Sequence, residues 1–178
     1  MNIPNNKKKQ SSQERIEKAF INMLQKKNIE DINVTDLVKK AEINRSTFYT
    51  NYIDIYDVAD KLKNKMYNEI LSLYPEETKN KTHSYNFLNL FKHIKDNQIY
   101  YNTLFKLNFD FSKLLDKYSL DSNLPKYCSK PKFAHYHITF FKAGLNAIIR
   151  EWLANGCTDS PEEINNVLKS EYMGKSLD

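Results

Sequence analysis

Six residues able to donate hydrogen bonds, Arg45, Ser46, Thr47, Tyr49, Thr50 and Asn51, fill seven consecutive positions with only Phe48 among them. Guanidinium, hydroxyl and amide groups of this kind reach phosphate oxygens and base edges, so the chemistry on offer is recognition of DNA rather than bond-making. A helix over this stretch would turn Phe48 and Tyr52, four residues apart, inward and leave the six polar residues on the outer face and around the first turn. Such a helix needs a scaffold, and the residues before it supply one. Asn33 is suited to N-cap a preceding helix with Asp36 at its third position, while Val34, Leu37, Val38 and Ala41 recur on one side. Glu42, Ile43 and Asn44 then make a three-residue turn. Ile43 plugs the space between the helices, and Asn44 caps the second by accepting from the backbone N–H of Ser46 or Thr47. Two short helices joined in this way are the layout of a helix-turn-helix, whose second helix enters the DNA major groove.

These residues resemble the tetracycline-repressor (TetR) family of one-component bacterial regulators. The family pattern of apolar-Thr/Ser-x-x-acidic-Ile-Ala is matched by Ile32, Asn33, Asp36, Leu37 and Val38. Its Ala-Gly-Val-Ser turn is matched by Ala41, Ile43 and Asn44, and its Thr-apolar-Tyr-x-His-Phe core by Thr47, Phe48, Tyr49, Asn51 and Tyr52. The resemblance implies an all-α fold: a three-helix N-terminal DNA-binding domain, then a larger helical bundle that binds an effector and dimerises. It also adds Thr35, near the start of the first motif helix, to the DNA contacts. Two positions depart from the pattern. Glu42 stands where Gly is usual, which costs about 1 kcal/mol if the residue is left-handed, unless the turn takes another geometry. Ile55 stands where the family has a phosphate-contacting Lys, so that contact is expected to be absent, leaving the backbone N–H groups after Asp54 to face a phosphate.

Composition points the same way. The formal net charge is +5, and residues 1–65 hold 13 Lys/Arg against 9 Asp/Glu while the other 113 residues hold 14 against 13. The excess lies on the segment carrying the motif, as a polyanion-binding end requires, although solvated Lys faces would look the same. Three Gly and five Pro, none between Asn5 and Tyr74, suit an all-helical chain. Cys128 and Cys157 lack C-x-x-C spacing and no apolar run opens the chain, which predicts reduced thiols and a cytoplasmic location. No run is long enough to span a bilayer, so no membrane partner is expected. Nor is a phosphate loop, a G-x-S-x-G elbow or a zinc-protease helix present, so neither catalytic residues nor a cofactor are expected. His135 and His137 flank Tyr136 with Cys128 in the same region, but residues two apart on a helix diverge, which argues against a shared metal ion.

Along the chain, residues 1–10 read as a disordered basic arm, either a frayed terminus or a reach toward the DNA backbone. Residues 11–53 form the helix-turn-helix domain. Its first helix opens on a Ser11/Glu14 capping box and carries Ile16, Ala19, Phe20, Met23 and Leu24 on one face. Residues 54–74 form a connecting helix capped by Asp54, with Val58, Leu62, Met66, Ile70 and Leu73 along its stripe. Residues 75–178 form the effector-binding and dimerisation domain. It begins with a polar loop to His83, then helices marked by Phe87, Leu88, Phe91 and Ile94 and by Ile99, Leu104, Phe105 and Leu107. A less regular helix over 109–120 and a loop over 121–132 follow. A strongly apolar helix is expected from Phe133 to Asn155 with Gly156 as C-cap, and a last one opens on Ser160, Pro161, Glu162 and Glu163.

Aromatic residues are dense between Tyr85 and Phe141, and rings at helical spacing are usually ordinary core. The resemblance instead implies a pocket for a small apolar or aromatic effector, among Phe87, Phe91, Tyr101, Phe105, Tyr136 and Phe140. It also implies that the last two helices pair with their symmetry mates through Phe141, Leu145, Ile148, Ile149, Trp152, Ile164, Val167 and Leu168. The penultimate helix has further apolar positions at Phe140, Ala143, Ala147 and Leu153. The expected protein is a homodimeric regulator that binds palindromic double-stranded DNA, a repressor released by its effector. Two alternatives stand beside it: a coactivator docking on a partner protein, and an interaction module with a vestigial motif and no small-molecule effector.

Overall fold

The computed structural model of the protein describes residues 3–80, 86–111, 113 and 131–173, and every element among them is helical. These residues fall into two compact units, one built from the chain up to Met66 with 106–108, the other from Tyr67 to Phe105 and from Phe109 onward.

In the first unit, α1 runs over Ile3–Leu24, α2 over Val34–Lys40, α3 over Arg45–Asn51, and α4 begins at Ile55 and continues to Ser72 in the second unit. The expected start of α1 is corrected: the helix extends back to Ile3, so 3–10 are not a disordered arm and Ser11 lies inside the helix rather than at its cap. Two features explain this. Lys and Gln are good helix formers, and Pro4 sits in the first turn, where its missing N–H costs nothing. The predicted apolar face holds, with Ile16, Ala19, Phe20, Met23 and Leu24 all buried, and α1 packs against both α2 and α3.

The caps read from sequence are made. Asn33 Oδ1 accepts from the Asp36 amide at 2.9 Å, Asn44 Oδ1 from the Thr47 amide at 2.7 Å, and Asp54 Oδ1 from the Asp57 amide at 2.8 Å. The turn after α2 is a Schellman motif, in which the Ile43 amide donates to Val38 O and the Glu42 amide to Lys39 O. Its geometry forces Glu42 into the left-handed region at φ 54°, the conformation that favours glycine. Phe48 and Tyr52 close the unit from α3 and are fully buried. Emptying the Phe48 site by truncation to Ala would cost about 3–5 kcal/mol.

The second unit holds the end of α4 and five further helices: α5 (Pro75–Asn80), α6 (Leu88–Asp96), α7 (Gln98–Lys106, whose last residue clusters with the first unit), α8 (Ala134–Ala154) and α9 (Pro161–Met173). Helix α5 replaces the first part of the polar loop expected there, because a proline that ends one helix is well placed to open the next, and residues 81–83 of that loop lie outside the described residues. Most of the helix expected over 109–120 and the loop over 121–130, with Cys128, lie outside the described residues, and Pro131–Phe133 form a 3₁₀ turn.

The core joins Phe87, Phe91, Tyr101, Phe105 and Phe111 to Phe141, Leu145, Ile149, Trp152 and Leu168. Phe87 meets Phe141 at 5.7 Å between ring centroids, and Phe91 meets Trp152 edge-on at 5.6 Å. Helices α6 and α9 pack together, and the buried Asn165 of α9 accepts the Phe87 amide at 3.0 Å, capping α6 from a distant element. The Ser160/Glu163 capping box forms as read, and Gly156 at φ 68° ends α8 in a second Schellman motif.

This core corrects the expected dimer surface. Phe141, Leu145, Ile149, Trp152 and Leu168 face inward and are consumed by the protomer itself, Ile148 and Ile164 are half-buried, and only Val167 is exposed, at 48%. Periodicity placed these residues on a common face correctly, but a common face does not say which partner covers it.

Candidate nucleic-acid interface

Helix α3 presents Arg45, Ser46, Tyr49 and Thr50 outward, with Thr47 half-buried beneath them. The placement follows from Phe48, whose burial turns positions 45, 46, 49 and 50 away from α1. Thr35 is exposed in the first turn of α2 and faces the start of α3. Arg45 Nη1 donates to Thr35 Oγ1 at 2.9 Å and Nη2 to the Tyr49 hydroxyl at 3.2 Å, with the guanidinium carbon 5.8 Å from the centre of the Tyr49 ring. Arg45 is thus held across two helices while three of its five N–H donors stay unused by these bonds. Ser46 Oγ donates to Asn44 Oδ1 at 2.8 Å and Thr50 Oγ1 to Ser46 O at 2.8 Å, so both hydroxyls are oriented by local backbone and cap. Tyr49 is 52% exposed.

Asn51 departs from expectation. It lies three residues beyond Phe48, hence on the inner side of the helix, and it is buried rather than outward-facing. Its Nδ2 donates back to Thr47 O at 2.7 Å, and its buried Oδ1 has no partner among the described residues, an arrangement that costs about 1–3 kcal/mol. The phosphate contact expected at the start of α4 is also disfavoured. Ile55 is buried, and the carboxylates of Asp54 and Asp57 occupy that end, accepting from the Asp57 and Ile53 amides respectively. Asp57 is held below its ordinary range by its hydrogen bond to Lys61 and then by the Ile53 amide, so it is an anion where a phosphate would have to sit.

Features that sequence reading passed over border this surface. Lys39 and Lys40 are exposed at the end of α2, Ile53 is 78% exposed in the α3–α4 turn, and Tyr56 is 56% exposed on the first turn of α4. The signal for Ile53 was its place after Tyr52, the extended C-cap of α3, which takes it out of phase with the stripes of both helices. Behind α3, the Tyr52 hydroxyl donates to Glu17 Oε1 at 3.4 Å, and Lys65 Nζ pairs with Glu17 Oε2 at 2.6 Å. Burial, then the nearby Glu17 charge, pushes the Tyr52 phenol upward, so it stays neutral and acts as a donor.

In the second unit the residues expected to line an effector pocket divide. Phe87, Phe91, Tyr101 and Phe105 are buried in the aromatic core, whereas Tyr136 and Phe140 are 65% and 72% exposed. The six therefore do not line one cavity. Tyr136 and Phe140 lie four residues apart on the side of α8 opposite its buried stripe, too far round the helix to close over the core rings.

The first unit is thus a three-helix head in helix-turn-helix layout with a polar, outward face on α3, and the second is a helical unit of its own. Residues 81–170 match the TetR-type family described as "Transcriptional regulator C-terminal region", half of the chain, and the protein belongs to the TetR family. Among solved structures it is similar in fold to the "Dihydroxyacetone kinase operon activator DhaS", with a TM-score of 0.55 and 23% identity over 90% of this chain and 96% of that one. No curated protein matches it. Among the described residues no helix is long and apolar enough to cross a membrane.

Proposed function

We propose that the protein is a cytoplasmic, homodimeric regulator that binds a palindromic DNA operator through Arg45, Ser46, Thr47, Tyr49 and Thr50 of α3 with Thr35 of α2. The observation that carries this reading is the exposed Arg45 fork, fixed between Thr35 and Tyr49 with donors to spare. A guanidinium so held suits bidentate contact with a guanine edge, while Lys39, Lys40 and the hydroxyls serve the phosphates. Asn51 is withdrawn from the contact set and becomes a packing residue.

Dimerisation falls to the other face of α8. Tyr136, Phe140, Ala143 and Ala147 are exposed at helical spacing, with Val167 exposed on α9. An apolar stripe of this length with small residues at its centre suits a self-complementary helix pair about a two-fold axis, which would present two copies of α3 to two half-sites.

Two signs of regulation follow from different observations. A repressor released by a small apolar effector needs a cavity, and the buried Phe87, Phe91, Tyr101 and Phe105 support a packed core instead. That favours the second reading, an activator or coactivator acting with a protein partner and no small effector, in line with the printed name of the fold neighbour. Selecting bound fragments from sheared chromosomal DNA tests the common core of both. Recovery of one palindrome supports it, and recovery of fragments without any shared sequence overturns it. Transcription from a promoter bearing that palindrome, with and without the protein, then gives the sign.

A further inference from the structure

The end of α3 is held by side chains of α4. Lys61 Nζ donates to the backbone oxygen of Asn51, the last residue of α3, at 2.8 Å and pairs with Asp57 Oδ2 at 2.9 Å. The same Asp57 oxygen accepts the Ile53 amide at 2.9 Å, so one carboxylate one turn from Lys61 grips the residue on the far side of the Tyr52 C-cap. Lys61 Nζ also lies 4.8 Å from the centre of the Tyr52 ring, whose hydroxyl bonds Glu17 of α1. A lysine at a helix C-terminus satisfies a carbonyl that has no partner within its own helix, and its charge suits that end of the dipole. Helix α3 has only seven residues, too few to be stable on propensity alone, so its final turn depends on such outside bonds. Asn51 directs its own Nδ2 back to Thr47 O inside the helix, so the bond that reaches its backbone oxygen from outside comes from Lys61.

We propose that Lys61 and Asp57 are positioning residues for DNA recognition, a clamp on α4 that fixes the last turn of α3 and thereby the angle at which Arg45 and Tyr49 meet the groove. The idea rests on the DNA-binding reading above. Its rival is that Lys61, whose side chain is 48% exposed, simply contacts a phosphate.

The two are separated by sign. Full-length wild type, Lys61→Met and Asp57→Asn are titrated with the chromosomally selected duplex and with a shuffled duplex across a salt series. Amide hydrogen exchange is followed on the free proteins. A clamp predicts that both variants lose roughly tenfold or more in affinity for the selected duplex while binding to the shuffled one and the salt slope stay close to wild type. It also predicts faster exchange at the Tyr52 and Ile53 amides in both, with α1 amides unchanged. A phosphate contact predicts that Lys61→Met shortens the salt slope by about one charge, and that Asp57→Asn, which frees Lys61 and removes an anion, binds DNA more tightly. Tighter binding by Asp57→Asn, or unchanged exchange in Lys61→Met, would overturn the clamp. If the wild type shows no duplex preference, the DNA-binding reading fails instead, and the exchange data still decide whether the clamp exists.

Discussion

Arg45 Nη1 lies 2.9 Å from Thr35 Oγ1, which ties the first residue of α3 to the first turn of α2. The bond crosses the helix-turn-helix on its exposed side, so the two helices share a contact surface as well as a core. It also restricts a long side chain that would otherwise lose rotamer freedom on meeting DNA.

Thr35→Val keeps the shape of the side chain and removes the hydroxyl. It is expected to weaken operator binding by about 0.5–1.5 kcal/mol, against about 1–3 kcal/mol for Arg45→Ala, with melting temperatures close to wild type in both. Fluorescence anisotropy on the selected duplex reads the difference. Equal losses would mean that Thr35 itself touches DNA as strongly as Arg45 does.

Glu42 sits at φ 54° and its side chain is exposed. Glu42→Gly relieves a left-handed strain of about 1–2 kcal/mol and returns part of it as unfolded-chain entropy, leaving a net gain of up to about 1 kcal/mol. Chemical denaturation should show a higher midpoint, and a lower one would contradict the strain.

The two faces of α8 should respond to mutation in opposite ways. Phe140→Glu on the exposed side is expected to yield a folded monomer by analytical ultracentrifugation, while Leu145→Ala on the buried side should cost about 2–5 kcal/mol of stability. A Phe140→Glu protein that remains dimeric would move the interface elsewhere.

Acid should weaken the fold through a few identified carboxylates. Asp57 and Glu163 are both held below their ordinary values of 3.8 and 4.5, Asp57 first by Lys61 and Glu163 first by the Ser160 hydroxyl. A depressed folded-state value means that the stabilisation is fully present above the ordinary value and is lost as pH falls through the lower one. Thermal melts should therefore be flat near neutrality and decline below the ordinary carboxylate range. Glu163→Gln and Asp57→Asn should each flatten that decline, and a slope unchanged in both would refute the assignment.

What could be read in advance was local. Asn33, Asn44, Asp54, Ser160 with Glu163, and Gly156 mark helix ends through bonds made within a few residues, and all of them act as their types suggest. What could not be read was which partner covers a face. The stripe from Phe141 to Trp152 has the right period for either a dimer seam or a core, and the rings of Phe87 and Phe91 packed on it decide for the core. Asn51 was misplaced for a different reason: in so short a helix its polar type outweighed its position three residues after Phe48. The Asn165 cap on α6 spans 78 residues and has no local signal.

The central claim is that an exposed α3 reads sequence in a DNA groove. The direct test is binding of the wild-type protein to the selected palindrome and to a shuffled duplex of equal length as salt is raised. The account predicts a preference on the order of a thousandfold or more for the palindrome at physiological salt, and a log-linear loss of affinity with salt on both. Equal affinity for the two duplexes at every salt concentration would contradict it.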